Sequence, residues 1–123
     1  MKKLFALVIT LLIAAGCATT AKDRTPADVR DNMLVGESGM TLYTFDRDTG
    51  GKSACNGQCS TNWPPLVVIG DAQPVPGYTI VVRDDGRKQW AYKGKPLYFW
   101  AKDTKVGDTT GDNVNNVWHI ARP

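Results

Sequence analysis

Two cysteines carry the sharpest chemistry that this sequence offers, because Cys55 and Cys59 lie four positions apart. A reverse turn or a single helical turn over that spacing brings two Cα atoms within the range of a disulfide. The pair could therefore form a structural disulfide, work as a redox couple, or supply thiolates to a metal site. The spacing differs from the Cys-x-x-Cys of thioredoxin-like proteins, and neither cysteine precedes a histidine, so haem attachment has no support.

The other polar residues offer weaker sites. His119 is the only histidine, and a metal site with nitrogen and sulfur ligands would have to combine it with both cysteines across the fold. Asp46 and Asp48 open a segment similar to the start of a calcium loop, but Gly57 stands where such a loop has its closing glutamate. No base can be assigned to a serine or cysteine nucleophile. We therefore expect no catalytic site, no metal and no cofactor.

The beginning of the chain has the pattern of an export signal. Two lysines precede the apolar run Leu4–Ala15, which is shorter than the roughly 20 residues that a spanning helix needs. Residues 14–17, Ala-Ala-Gly-Cys, resemble a bacterial lipobox, although Ala14 stands where leucine is commonest. The resemblance implies that residues 1–16 are a lipoprotein signal peptide and that Cys17 becomes the lipidated first residue. The alternative is an ordinary signal cleaved nearby, with an incidental thiol at that position.

Lipidation of Cys17 leaves Cys55 and Cys59 as an even pair in an oxidising compartment, where a structural disulfide is the usual outcome. Closing their five-residue loop restricts the unfolded chain by about 2 kcal/mol in the chain-entropy model. We predict that disulfide, with a redox-active pair and metal ligation as the alternatives. Residues 17–30 are expected to form a lipidated N-terminus and flexible tether, and residues 31–123 a single β domain.

The charge of the chain argues against a nucleic-acid partner. The net charge is +3, and removal of the two lysines of the leader leaves +1. Because no basic cluster remains, there is no electrostatic reason to expect binding to nucleic acid. The partners that we expect are the membrane, through the N-terminal lipid, and an envelope protein of unknown identity.

The sequence repeats itself at an offset of 55 residues without a gap. Self-similarity at a fixed offset is typical of one structural unit built twice, and here the units cover about residues 36–66 and 91–121. The identities are Gly39 with Gly94, Leu42 with Leu97, Tyr43 with Tyr98, Asp48 with Asp103, Thr49 with Thr104 and Trp63 with Trp118, while Phe45 aligns with Trp100.

Apolar and polar residues alternate with a period of two, and this pattern predicts strands through most of the domain. The predicted strands are Met33–Val35, Met40–Phe45, Tyr78–Val82, Gln89–Tyr92, Pro96–Trp100 and Val117–Ile120. The first two form a hairpin, the next three form a meander, and a single helical turn is possible around residues 56–61. The fold class that we predict is all-β, a small sandwich or partly closed barrel made of two pseudo-repeated hairpin or meander units.

Each repeat has the same internal order of residue types. Alternation places Tyr43 with Phe45, and Tyr98 with Trp100, on one face of their strands, and the leucines on the other face. Each aspartate follows its strand, where its carboxylate can accept backbone N–H groups two residues on. Each repeat ends with a tryptophan that can return to the aromatic face. The six rings could line a ligand groove, but we favour a core for Tyr43, Phe45, Trp63, Tyr98, Trp100 and Trp118.

The segments Tyr43–Asp48 and Tyr98–Asp103 resemble the Tyr-x-(Phe/Trp/Tyr)-x-x-Asp motif of predicted bacterial lipoproteins, a family also described as a secreted repeat of unknown function. The resemblance continues through both cysteines, Trp63–Leu66 and Trp118–His119, and covers nearly all of the chain after residue 33. It implies export, lipidation and a twofold repeat, and no established reaction.

Together these observations predict an exported envelope lipoprotein that is a non-catalytic binding or structural module. Ala18 after the lipidated cysteine favours the periplasmic face of the outer membrane, if the cell has two membranes. An envelope redox or electron-transfer protein that uses Cys55 and Cys59 is the alternative, and a metal-binding protein is a third.

Overall fold

The computed structural model of the protein describes residues 24–123. The predicted signal peptide, Cys17 and the first part of the predicted tether lie outside the described residues. The strands are β1 (Asp28–Arg30), β2 (Met33–Val35), β3 (Tyr43–Phe45), β4 (Tyr78–Val82), β5 (Lys88–Tyr92), β6 (Lys95–Pro96) and β7 (Trp118–Ile120). A short helix, α1, covers Gln58–Asn62, and a 3₁₀ turn covers Val114–Asn116. Residues 28–30, the last of the segment predicted as a tether, form β1.

The prediction of an all-β fold is confirmed, because the described strands form three small antiparallel sheets with one short helix. The sheets are β1–β2, β3–β7 and β4–β5–β6. The three-stranded sheet is the predicted meander, although its third strand, β6, ends at Pro96 instead of running from Pro96 to Trp100. The chain reverses between β4 and β5 at Gly86, whose φ of 83° suits glycine. Isolated bridges connect these sheets, but among the described residues they do not close into a barrel.

The predicted first hairpin is only partly formed. Val35 and Thr41 make an isolated antiparallel bridge, and the Leu42 amide donates to the carbonyl of Leu34 at 2.9 Å. The next residue, Tyr43, leaves this partner and pairs with Ile120 of β7. The strand therefore begins in its own hairpin and ends in the other half of the molecule.

The two repeats trace the same path and exchange partners. Tyr43 of the first repeat pairs with Ile120 of the second, and Tyr98 of the second repeat pairs with Pro65 of the first. These two pairs are related by the same 55-residue offset as the sequence repeat. The predicted duplication is therefore confirmed, and each repeat's motif strand pairs with the closing segment of the other repeat.

The motif strands also meet each other at the centre of the molecule. The amide of Tyr43 donates to the carbonyl of Tyr98 at 2.8 Å, and the amide of Tyr98 donates to the carbonyl of Tyr43 at 3.0 Å. Two residues that exchange both bonds form the hydrogen-bonded pair of an antiparallel ladder. A local twofold relation between the repeats passes through this pair.

Alternation along the motif strands separates two cores. Leu42 and Leu97 are fully buried in a mixed apolar core that includes Leu34 and Trp90. Tyr43 and Tyr98 point to the opposite side. They form an aromatic core with Trp63, Trp118, Cys55 and the flanking rings of Phe45 and Trp100.

Four rings of the aromatic core form one continuous stack. The centroids of Trp63 and Trp118 are 3.7 Å apart, with their planes inclined by only 3°. Phe45 lies on the outer side of Trp118 at 4.1 Å, and Trp100 lies on the outer side of Trp63 at 3.9 Å. Each motif strand's second aromatic thus stacks on the tryptophan of the other repeat. The two central indoles are almost completely buried, at 4% and 3% exposed.

Candidate functional site

The most concentrated polar structure lies around the two motif tyrosines. The Tyr43 hydroxyl donates to Asp103 Oδ2 at 2.6 Å, and the Tyr98 hydroxyl donates to Asp48 Oδ2 at 2.7 Å. Each bond joins a tyrosine of one repeat to the aspartate of the other. The Tyr-x-(Phe/Trp)-x-x-Asp motif is therefore completed between repeats, because its own tyrosine and aspartate are not partners.

The second oxygen of each aspartate closes a loop. Asp48 Oδ1 accepts the amide of Ala54 at 2.7 Å. Asp103 Oδ1 accepts the Thr110 amide at 3.0 Å and the Thr110 hydroxyl at 2.6 Å. The sequence predicted amide donors two residues on; the donors lie six and seven residues on, because each carboxylate spans a long loop rather than a tight turn.

Arg83 is a buried residue that the sequence did not identify. Its guanidinium donates to Ser53 Oγ at 2.9 Å, to Gln89 Oε1 at 2.7 Å and to the Cys55 carbonyl at 2.8 Å. Its position directly before the Asp84-Asp85-Gly86 turn is typical of a solvated charge. Gln89, whose strand alternation could have indicated an inward side chain, is fully buried and donates to the Leu97 carbonyl at 2.7 Å.

These groups form a directed chain of hydrogen bonds. The guanidinium can only donate and an ionised carboxylate can only accept, so the direction runs from Arg83 through the Ser53 hydroxyl and the Tyr98 hydroxyl to Asp48. The Ser53 and Tyr98 oxygens are 2.7 Å apart. Among residues 24–123 every buried side-chain nitrogen or oxygen has a partner. Such a fully satisfied network fixes the positions of its members.

The predicted disulfide is present between Cys55 and Cys59, whose Cα atoms are 5.2 Å apart. Cys55 is fully buried in the aromatic core, and Cys59 packs against the same core while half-buried. The equivalent loop of the second repeat has no cysteine. There Val114, at the position of Cys59, packs on the core, and Asp108 accepts the Thr104 amide at 2.9 Å.

Burial changes the acidity of the central groups. Burial raises the pKa of Tyr43 and of Tyr98 well above the ordinary 10.0, because an ionised phenol would lose its hydration. The bonds to Asp103 and Asp48 act in the same direction. Burial also raises the pKa of Asp48, and the Ala54 amide, the Tyr98 hydroxyl and Arg83 oppose that rise.

The histidine and the acidic segment do not form a metal centre. His119 Nε2 lies 2.7 Å from Asp46 Oδ2 on the surface, while Asp48 points inward to Tyr98. The two aspartates therefore do not converge on one cation as a calcium loop requires. Within the described part of the chain, no three His, Cys, Asp or Glu side chains are grouped so that they could hold a metal ion.

A family model described as a secreted repeat of unknown function matches the chain in two segments, residues 31–67 and 79–122. The segments correspond to the two structural repeats. No curated protein and no solved structure shows a significant match to the chain. In residues 24–123, no helix has the length and apolar character needed to cross a membrane.

Removal of one bridging hydroxyl should destabilise the whole domain. Tyr98→Phe leaves Asp48 and Ser53 with an unmet buried hydrogen bond, so we expect a loss of about 1–3 kcal/mol in the free energy of unfolding. Tyr92→Phe is the control, because that hydroxyl makes no side-chain hydrogen bond within residues 24–123, and its effect should stay within about 0.5 kcal/mol. Urea unfolding followed by circular dichroism measures both; equal effects would contradict the role of the hydroxyl.

The raised tyrosine pKa values predict a loss of stability in alkali. Above the ordinary value of 10.0 the unfolded chain releases its tyrosine protons while folded Tyr43 and Tyr98 keep theirs. The stabilisation from these groups is therefore complete below that pH and is lost as the pH rises toward their folded pKa values. The free energy of unfolding, measured between about pH 8 and about pH 11, should fall more steeply for the native sequence than for a Tyr43→Phe, Tyr98→Phe double variant. Identical slopes would contradict this assignment.

Proposed function

The chain belongs to this family of secreted repeat proteins of unknown function, and from that premise we propose that it is a lipid-anchored, non-catalytic module of the cell envelope. In this proposal Cys17 carries the lipid, and the folded domain acts by binding or supporting another envelope component. If the cell has two membranes, Ala18 favours the periplasmic face of the outer membrane.

The observation that supports a non-catalytic role is the internal use of the reactive groups. Tyr43 and Tyr98 are committed to Asp103 and Asp48, and the guanidinium of Arg83 is committed to four partners in the domain. A catalytic acid, base or nucleophile needs a partner in the substrate within hydrogen-bonding reach. Here the same atoms hold the two repeats together.

The length of the N-terminal segment is compatible with anchoring. Ten residues separate Cys17 from Asp28, the first residue of β1. Even when fully extended, such a segment spans at most about 36 Å. A lipid on Cys17 would therefore hold the domain close to the membrane surface, where a partner in the same membrane is accessible.

A redox protein is the second candidate, and it is favoured by the partial exposure of Cys59. Cys59 is half-buried and Cys55 is fully buried, so an attacking thiolate would approach the disulfide from the side of Cys59. The cysteine pair also belongs to the first repeat alone. Against this candidate, the Cys55 carbonyl is held by Arg83 at 2.8 Å, which ties the loop to the core.

Metabolic labelling with an alkyne fatty acid tests the proposal. In the producing cell the native protein should take up the label and sediment with membranes, because a lipidated N-terminus partitions into the bilayer. Cys17→Ser should lose the label and most of the membrane association. The matched control is the Cys55→Ser, Cys59→Ser double variant, which should keep both.

Thiol trapping of the same cells separates the two candidates. A structural disulfide should remain almost entirely oxidised in growing cells and after mild reductant. In the labelling experiment, a native protein that takes up no label would refute the anchoring. In the trapping experiment, a large fraction of reduced Cys55 and Cys59 that an oxidant converts back to the disulfide would favour the redox candidate.

A further inference from the structure

A shallow apolar pocket of about 300 Å³ lies beside the motif strand of the second repeat. We call it the Trp100 pocket; its lining residues are Ser38, Met40, Thr41, Pro64, Phe99, Trp100, Ala101 and Asp103. Its volume is at the lower end of the range for ligand sites. It therefore has room for one ring system rather than for a long chain.

The equivalent surface, beside the motif strand of the first repeat, carries different residues. At the offset of 55 residues, His119 stands for Pro64, Asp46 for Ala101, Thr44 for Phe99 and Lys95 for Met40. This surface is polar and is bridged by the hydrogen bond of 2.7 Å between His119 and Asp46. These four differences, and Ser38 in place of Lys93, make the pocket side the more apolar of the two, whereas Thr41 stands where the other surface has Pro96.

The backbone beneath the two surfaces is the same. The Asp46 amide donates to the Val117 carbonyl at 2.8 Å. At the equivalent positions the Ala101 amide donates to the Asn62 carbonyl at 2.9 Å. Because this fold accepts charged residues at one copy of the site, it does not require apolar residues at the other. Phe99 and Trp100 also pack on the two cores, but Met40, Pro64 and Ala101 line the pocket without such a requirement. Apolar side chains of that kind indicate a binding site.

Two walls of the pocket are held in place. Phe99 lies directly over Gly36, where a Cβ atom would come within 2.7 Å of the Phe99 ring. Trp100 is fixed by its stacking on Trp63 at 3.9 Å. Walls that do not have to be ordered when a ligand arrives reduce the entropic cost of binding.

We propose that the Trp100 pocket binds a small uncharged aromatic group, an inference that rests on the proposed role of the protein as a binding module. Aromatic rings and the thioether of Met40 are favourable surfaces for another ring. Asp103 repels an anion, and both its oxygens are already bonded to Tyr43 and Thr110. The Lys102 ammonium, 5.6 Å from the Trp100 ring centroid, carries the opposite charge, so the two charges together favour neither an anion nor a cation.

Indole is the probe, and the methionine methyl groups are the reporters. The full chain carrying Cys17→Ser is labelled with ¹³C at its methionine methyls and titrated with indole. We expect the resonance of Met40, which lines the pocket, to shift with saturation. Met33 of β2 lies outside the pocket lining and should not shift.

The other repeat supplies the matched variant. The double variant Pro64→His, Ala101→Asp gives the pocket the residue types that His119 and Asp46 supply on the equivalent surface. The backbone of that surface, which is the same, already accepts such a pair. Its affinity for indole should be at least about tenfold weaker, equivalent to about 1.4 kcal/mol. Asp46→Ala, on the opposite surface, should leave the affinity unchanged. If the double variant does not fold, the single variant Ala101→Asp replaces it, with the same expectation, because Ala101 is exposed.

An unshifted Met40, or equal indole affinity in the pocket variants and the Asp46→Ala control, would overturn the inference. These results are independent of the labelling experiment above. A lipidated protein with an unresponsive Met40 refutes only the pocket. A responsive Met40 in the titration, together with a native protein that takes up no fatty-acid label, refutes only the anchoring.

Discussion

The structure depends on the exchange of partners between the two repeats at Tyr43 and Tyr98. Their backbones bond to each other at 2.8 and 3.0 Å, and each hydroxyl bonds to the aspartate of the other repeat. Neither tyrosine can keep these bonds if the other half of the molecule unfolds. The central indoles, stacked at 3.7 Å, impose the same condition on the core. The domain is small, and a small chain buries a limited share of its surface, so sharing one core between both repeats adds to the stability of each.

The duplication also separates what the fold requires from what one copy has acquired. Both repeats keep the motif tyrosine, the aspartate and the closing tryptophan, because these residues connect the halves. The disulfide belongs to the first repeat alone, where Cys59 occupies the position that Val114 fills in the second. The Trp100 pocket lies beside the motif strand of the second repeat, and the equivalent surface beside the motif strand of the first repeat is polar. Features that occur in one copy are the better candidates for function, since the other copy folds without them.

The local features of this protein could be predicted from its sequence. The repeat offset, the strand alternation that sorts Leu42 from Tyr43, the meander and the disulfide all depend on residues close together in the chain. The partner of each motif strand could not be predicted, because an offset says that two units are alike and not which unit each strand joins. For the same reason the hydrogen bond from the Tyr98 hydroxyl to Asp48 could not be predicted, because it joins the two repeats. Arg83 was missed because a charged residue beside an Asp-Gly turn is usually solvated, and its burial depends on acceptors distant in sequence.

Native-state hydrogen exchange tests most directly whether the repeats form one cooperative unit. The Leu42 amide bonds to Leu34 within the first half, and the Leu97 amide bonds to Trp90 within the second, both at 2.9 Å. If the halves depend on each other, both amides exchange only through global opening, with equal opening free energies and equal dependence on urea. An amide that exchanges through a lower-energy opening of its own half, while the other half stays protected, would contradict the account.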